Sequence, residues 1–315
     1  MADLDPDPAG GSVRRAAAIV HPGKQADLDA FHATVSKAMS DLGWAEPLWM
    51  ETSKEEAGHG LAREAVQAHV DLVLACGGDG TVTACADGVA GSGIPLGVLP
   101  CGTGNLLARN LGLPLNVEEA LTVALTGADR QLDMGIANDQ PFVVMAGIGF
   151  DAAMLEGASE ELKKHAGWIA YVVSALAHLR DRPVRVTMRV DGGAARRRWV
   201  SGVVVGNVGA LQGNLRLLPD AVPDDGILDV AVLTAHNWLG WMGLAADVLL
   251  LRHRTQRLTR LTCRELLVVA RNARPWEVDG EVIGSGRELR VSLRPERLLV
   301  RVPAANDAED PAHDA

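Results

Sequence analysis

Between Arg15 and Leu111, short apolar runs of β character alternate with helical patterns, and a chain written this way folds most economically as a parallel sheet with helices on its faces. Arg15 to Val20 reads as the first strand, Asp71 to Cys76 as a second clear one and Leu96 to Leu99 as another. Thr52 with Glu55 and Ser53 with Glu56 form overlapping capping-box pairs, which predicts a helix from there to about His69. A further helix begins near Asn105 and runs to Leu111.

After about Gln131 the pattern changes to apolar, β-rich segments punctuated by the hairpin signals Asn138-Asp139 and Asp191-Gly192-Gly193. Val184 to Val190, Trp199 to Val205, Ile227 to Leu233 and Leu266 to Val269 read as strands, Trp168 to Leu179 and Trp238 to Leu251 as helices. The expectation is an α/β domain over residues 14–130 and an antiparallel β-sandwich with helical insertions over 131–302. The flanks, 1–13 and the acidic 303–315, read as disordered tails.

Composition excludes several classes. With 315 residues, 48% of them hydrophobic, the chain can bury a sizeable core, and its net charge of −10 argues against non-specific nucleic-acid binding. Cys76, Cys85, Cys101 and Cys263 lack the CxxC spacing of a zinc site and are too irregular for a disulfide framework, which points to reduced thiols in the cytoplasm. The N-terminus carries acids where a secretory signal carries basic residues, and Trp238 to Leu251 falls short of the roughly 20 residues a membrane span needs. The basic groups Lys163-Lys164-His165, Arg196-Arg197-Arg198 and Arg252-His253-Arg254, with Arg257 and Arg260, stand out against the acidic background as candidates for anionic lipid heads. A helix from Trp238 would carry Trp238, Trp241, Ala245, Val248 and Leu249 on one apolar stripe beside the last of these groups. That arrangement reads either as core or as an interfacial segment.

The chemistry lies in the loops. Gly77-Gly78-Asp79-Gly80-Thr81 follows the strand DLVLAC and precedes a helix, the place where open α/β sheets bind ligands. Its glycines let backbone N–H groups approach a phosphate chain, and Asp79 can hold Mg²⁺ or orient a hydroxyl. Pro100-Cys101-Gly102-Thr103-Gly104-Asn105 repeats the device one βα unit later, so two loops can close on one polyphosphate. Much further on, Val278-Asp279-Gly280-Glu281 sets two carboxylates at i and i+2, available to a phosphoryl acceptor or simply marking a turn. The chain holds no GxxxxGK[ST], HExxH or GxSxG. Gly147-Ile148-Gly149-Phe150-Asp151-Ala152 matches a dinucleotide fingerprint only weakly, and close backbone packing at a strand end is its better reading.

Taken in order, GGDGT, PLGVLPCGTGNLLARNLGLP, AGIGFDA, PDDGILDV and VDGE resemble the diacylglycerol-kinase catalytic-domain family, bacterial diacylglycerol- and sphingosine-kinase-like lipid kinases included, over roughly residues 14 to 302. The resemblance implies an NAD kinase/diacylglycerol kinase-like fold, ATP and Mg²⁺ as cofactors, and transfer of the γ-phosphoryl group to a lipid hydroxyl, diacylglycerol first. Gly77, Gly78, Asp79, Gly80 and Thr81 would contact ATP and its Mg²⁺, with Gly102, Thr103, Gly104 and Asn105 closing over the nucleotide. Glu281, supported by Asp279, would be the general base, with Asp79 its rival, and Asp225 would hold a structural Mg²⁺. The family's usual Asn-Pro after the first strand is replaced by His21-Pro22-Gly23-Lys24, which puts His21 beside the nucleotide, and Asn105-Leu106-Leu107 stands where many relatives have Asn-Asp-Phe. The implied setting is cytoplasmic, with peripheral membrane contact at the lipid substrate, no nucleic acid, and room for a homodimer. The competing functions are an NAD kinase-like enzyme, which shares the first loop, and a regulator that keeps the fold without the activity.

Overall fold

A computed structural model describes residues 13–149, 183–211, 215–235, 238–250 and 255–304. The first part is the expected parallel sheet. Strands β1 (Ala16–Val20), β2 (Leu48–Glu51), β3 (Leu72–Gly77) and β4 (Leu96–Pro100) lie in the order β4-β3-β1-β2, every pairing parallel. Residues of β1, β3 and β4 are buried on both faces, the reason these strands read as unbroken apolar runs. Helices α1 (Leu28–Asp41) and α5 (Val117–Thr126) cover one face, packing Phe31, Val35 and Leu121 on Ala18 and Leu74. Helices α2 (His59–Gln67), α3 (Asp79–Val89) and α4 (Leu106–Asn110) cover the other.

The helix expected from Thr52 starts seven residues later. Ser53 Oγ accepts from the N–H groups of Glu55 and Glu56, a local turn that competes with helix, and Gly58 at φ +130° is the true N-terminal boundary. Glu56 Oε1 accepts from Gly58 N at 2.8 Å and Gly60 N at 3.1 Å, so the acid of the second capping box still serves a helix start, from a different position.

The second part comprises β5 (Ala128–Ala137), β6 (Gln140–Phe142), β7 (Met145–Ile148), β8 (Val184–Val190), β9 (Arg196–Val200), β10 (Gly202–Gly206), β11 (Ala210–Leu211), β12 (Leu215–Arg216), β13 (Leu228–Leu233), β14 (Leu258–Cys263), β15 (Glu265–Val278) and β16 (Glu281–Val302). Both predicted hairpin turns form, with Asn138, Asp139, Asp191 and Gly192 at positive φ, the geometry of two-residue turns that match strand twist. The strand expected at Trp199 to Val205 is two strands, β9 and β10, which meet at Ser201 and join different neighbours. Gly149, at φ +97°, could not carry a side chain, because a Cβ there would stand 2.9 Å from Ser201 O.

The long β16 joins the two parts. It runs antiparallel to β15 and β5, and its end pairs in parallel with β4 at Val300 and Leu96, so one continuous sheet runs from β14 to β2. Helix α6 (Trp238–Leu249) buries Trp241, Leu244 and Val248 against Leu233 and Leu258. The tryptophan stripe is therefore core at Trp241, because that face covers the sheet. The outward face carries Leu239 and Met242, more than half exposed. Arg257 lies 3.8 Å from Asp247, and Arg260 Nε donates to Leu217 O, so these two basic residues also make contacts within the fold. The helix expected at Trp168 to Leu179, Asp151, and the groups Lys163-Lys164-His165 and Arg252-His253-Arg254 lie outside the described residues. No described helix is long and apolar enough to cross a membrane.

Candidate active site

The two glycine loops meet at the ends of β3 and β4. The ladder between these strands runs on past their ends through Cys101 N to Gly77 O, so the two turns are held side by side. A Cβ at Gly102 would stand 2.7 Å from Gly78 Cα, which restricts this crossing to glycine. Thr81 is buried and closes beneath the first loop, where a Cβ at Gly77 would meet its side chain at 2.6 Å. In the second loop Asn105, at φ +48°, bonds Gly102 twice: Gly102 N donates to Oδ1 at 3.0 Å and Nδ2 donates to Gly102 O at 2.9 Å. Asn105 thus sets the shape of the loop, and Thr103 is left exposed at its tip.

Asp79 opens α3 and binds the loops to each other. Its Oδ1 accepts from Leu106 N at 2.6 Å, and its Oδ2 lies against Gly104, where a Cβ would stand 2.5 Å away. Burial raises the pKa of this carboxyl, and the backbone N–H groups of Leu106 and Asn105 oppose the rise. His21 N donates to Cys76 O at 3.0 Å, which places the turn after β1 beside the same loops. The His21 ring lies over Gly23, with its Nδ1 buried and unpaired. Lys24, which the motif reading left without a role, brings its Cε to within 3.9 Å of the position a Gly78 Cβ would take.

The acids of VDGE come from the other end of the chain and take different places. Glu281 is exposed and approaches the start of α3, with its Oε1 2.8 Å from where a Cβ on Gly80 would stand. A pocket of about 350 Å³ opens beside it, lined also by His59, Thr83, Asp87, Asp139 and Pro141. Asp279 is buried, and four donors saturate its carboxylate. Oδ1 accepts from Val144 N at 2.9 Å and Met145 N at 2.8 Å; Oδ2 accepts from Val143 N at 3.1 Å and Thr83 Oγ1 at 2.5 Å. Thr83 belongs to α3 and residues 143–145 lead into β7, so Asp279 fastens the β15–β16 turn to both parts of the molecule. What the geometry offers Asp279 is a positioning role.

Asp225 stands apart from this group. It is exposed, and its Oδ1 accepts from Ile227 N at 3.1 Å in a local turn. Burial pushes nearby Asp229 up to about 6, with the charges of Asp225 and Asp220 adding to the rise and Arg260 opposing it. Among the described residues no group of three or more His, Cys, Asp and Glu side chains is placed to hold a metal ion, so a cation at Asp225 would need backbone carbonyls as well.

One acid outside the motifs is Glu277. It lies in β15 opposite Gly147, its Oε2 is buried without a hydrogen-bond partner, and burial pushes its pKa up to about 7. The signal in the sequence was the alternation of carboxylates at 277, 279 and 281, of which only the last two fall within the recognisable motif. In the unfolded chain this group titrates near 4.3. Between that value and about 7 the native state therefore holds the extra proton, and stability falls as pH rises through that window. Glu277→Gln removes the dependence. Its stability relative to the parent, from urea midpoints, is expected to be about 2 to 3 kcal/mol more favourable at pH 8 than at pH 5. An equal difference at both pH values contradicts the assignment.

Residues 15–137 match the model of the diacylglycerol kinase catalytic domain, and residues 143–302 match that of the YegS C-terminal NAD kinase beta sandwich-like domain. A Pseudomonas fluorescens protein named probable lipid kinase YegS-like is 32% identical over 301 residues, which is 93% of this chain and 96% of its own length. The chain belongs to the YegS-like lipid kinase family. Among solved structures, a diacylglycerol kinase from Bacillus anthracis strain Sterne superposes with a TM-score of 0.75 at 23% identity, covering 93% of this chain and 98% of that one. Yeast NADH kinase, solved with NADH, matches at a TM-score of 0.50 and 11% identity over 93% of this chain and 84% of its own. Both likenesses concern the fold. A YegS-like kinase is a phosphotransferase with a DAG-kinase-like first domain and a β-sandwich second domain, as the motif order implied.

Proposed function

We propose that this YegS-like kinase transfers the γ-phosphoryl group of ATP to a lipid hydroxyl, with diacylglycerol the simplest acceptor of the class. The observation that carries this reading is the convergence of two glycine loops on Asp79 while the fold brings Glu281 up to Gly80 from the far end of the chain. Backbone N–H groups of the loops and the start of α3 receive the phosphates, and Lys24 adds a positive charge beside Gly78. The donor set suits Mg²⁺, a hard cation usually held by one or two carboxylates plus substrate phosphates, and Asp79 would supply the carboxylate. When bound, Mg²⁺ neutralises charge on the phosphate oxygens. The lipid oxygen forms its bond to the γ-phosphorus as the bond to the ADP oxygen breaks, and Glu281 accepts the hydroxyl proton. Asp279 acts by holding the turn that carries Glu281. His21 packs beside the nucleotide, and a structural Mg²⁺ at Asp225 with carbonyl ligands belongs to the same reading.

The outward face of α6, with Leu239 and Met242, supports a peripheral contact in which the enzyme visits the membrane holding its substrate. In the test, purified protein is incubated with labelled ATP and a lipid panel in mixed micelles, with NAD as control. Label in a lipid is the expected result. Label in NADP would move the protein to the NAD kinase-like reading, and no transfer to any acceptor would leave a binding protein. Sedimentation with anionic vesicles checks the contact, which Leu239→Glu with Met242→Glu should weaken. Vesicle binding that ignores both charges would exclude this face.

A further inference from the structure

The face of β15 that carries Glu277 is the one whose neighbours pack in a common core with α4, the helix after the second glycine loop. Glu277 pairs with Gly147 of β7, Gly147 with Val204 of β10, and Val204 with Ala231 of β13, so these four stand in one row across the sheet. Side chains of that face, Met145 and Val204 among them, share a core with Leu106 and Leu107 of α4, the helix that follows the second glycine loop. The row is shallow because its second member has no side chain. Glu277 leans into the space, its Oε1 3.1 Å from where a Cβ on Gly147 would stand. A buried carboxyl oxygen with no donor is costly to keep, about 1 to 3 kcal/mol for an unsatisfied polar atom and more when it is charged. A structural role would supply a partner, as Asp279 has four. Glu277 has no protein partner for Oε2, and its raised pKa is the electrostatic mark of the same deficit.

We infer that Glu277 is a specificity-determining residue of the acceptor-lipid site, taking a hydrogen bond from a hydroxyl or ammonium group that the acceptor carries in addition to the hydroxyl being phosphorylated. This rests on the lipid-kinase reading and narrows it. A diacylglycerol has only one hydroxyl and otherwise offers ester oxygens, which accept and so give nothing to a Glu277 ionised above about pH 7, the range in which the acceptors are compared. A monoacylglycerol brings a second hydroxyl, and a sphingoid base a second hydroxyl and an ammonium group. Glu277 would satisfy the latter two, and the glycine opposite sets no side chain of its own against the carboxyl.

The experiment compares the parent with Glu277→Gln and Glu277→Leu on three acceptors in mixed micelles: 1,2-diacylglycerol, 1-monoacylglycerol and sphingosine. A site built around a hydrogen bond discriminates strongly when the bond is lost. Glu277→Leu should therefore lower kcat/KM on monoacylglycerol and sphingosine by about 10- to 100-fold, and on diacylglycerol by no more than about threefold. Glu277→Gln should keep much of the monoacylglycerol activity and lose that on sphingosine, whose ammonium needs the charge; if the Leu variant does not fold, this split decides. Equal loss on all acceptors, no loss on any, or a parent that uses diacylglycerol alone overturns the inference. Retention of labelled monoacylglycerol by the protein on gel filtration is followed alongside. If the parent phosphorylates no lipid, the kinase reading fails separately, and retention by the parent that Glu277→Leu abolishes still upholds the contact, whereas equal retention or none overturns it.

Discussion

Asp79→Asn and Glu281→Gln should each lower kcat on the best lipid acceptor by roughly 100-fold or more while leaving the thermal unfolding midpoint almost unchanged. A positioned acid or base is worth about 100- to 10,000-fold. Both substitutions keep side-chain shape and remove charge. Asn at 79 can still accept from Leu106 N through its amide oxygen, so the loops stay joined, but the group facing Gly104 is then an amide without the charge a cation needs. Glu281 is exposed and contributes little to packing, so its loss should show in kcat far more than in stability. Near-normal turnover in both variants would mean that the phosphoryl group is transferred elsewhere.

Asp279 should behave in the opposite way, as a stability residue first. Replacing it by Ala leaves the Thr83 hydroxyl and the N–H groups of Val143, Val144 and Met145 without their acceptor. A buried donor left without its acceptor costs about 1 to 3 kcal/mol, so losing the acceptor of all four takes a large part of the roughly 5 to 15 kcal/mol that holds a typical domain folded. Asp279 also sits at φ +47°, a conformation that costs Ala about 1 kcal/mol more than it costs Gly or Asn. The expected order in urea unfolding is therefore Asp, then Asn, then Gly, then Ala. Asn ranks second because its amide oxygen can serve Val144 and Met145 while its NH₂ donates to Thr83, whose hydroxyl can turn to accept. A loss below about 1 kcal/mol for Asp279→Ala would show that the clamp is dispensable. Activity of Asp279→Asn, measured where it is still folded, reports how far Glu281 depends on the turn being held.

The parts of this site that were legible in the sequence are those built by short stretches of chain. A strand, a glycine turn and a helix start are consecutive, so GGDGT and CGTGN mark two glycine turns that lead from a strand end into a helix. Two-residue turns were equally plain at Asn138-Asp139 and Asp191-Gly192, since positive φ selects those residues. Less was visible where side chains had a choice of partner. Ser53 offered a cap and used it on a local turn, and Trp241 offered an interfacial anchor and used it in the core.

By itself, then, the sequence determined the parallel sheet, the two loops, the β-rich second part and membership of the lipid-kinase family, because each depends on local propensity, periodicity or motif order. Only the tertiary structure decided the surroundings of the three acids at and beside the β15–β16 turn. Asp279 reaches Thr83 across 196 positions of chain, and Glu281 reaches Gly80 only because β15 and β16 bring their turn against α3. Glu277 Oε2 is left buried without a donor where β15 lies against β7, with Gly147 opposite. Residues spaced two apart look equivalent along an extended strand. Burial and the supply of hydrogen-bond donors, which belong to the neighbours that folding brings, separate them into a saturated clamp, an exposed acid beside Gly80 and a carboxyl with one oxygen left without a donor.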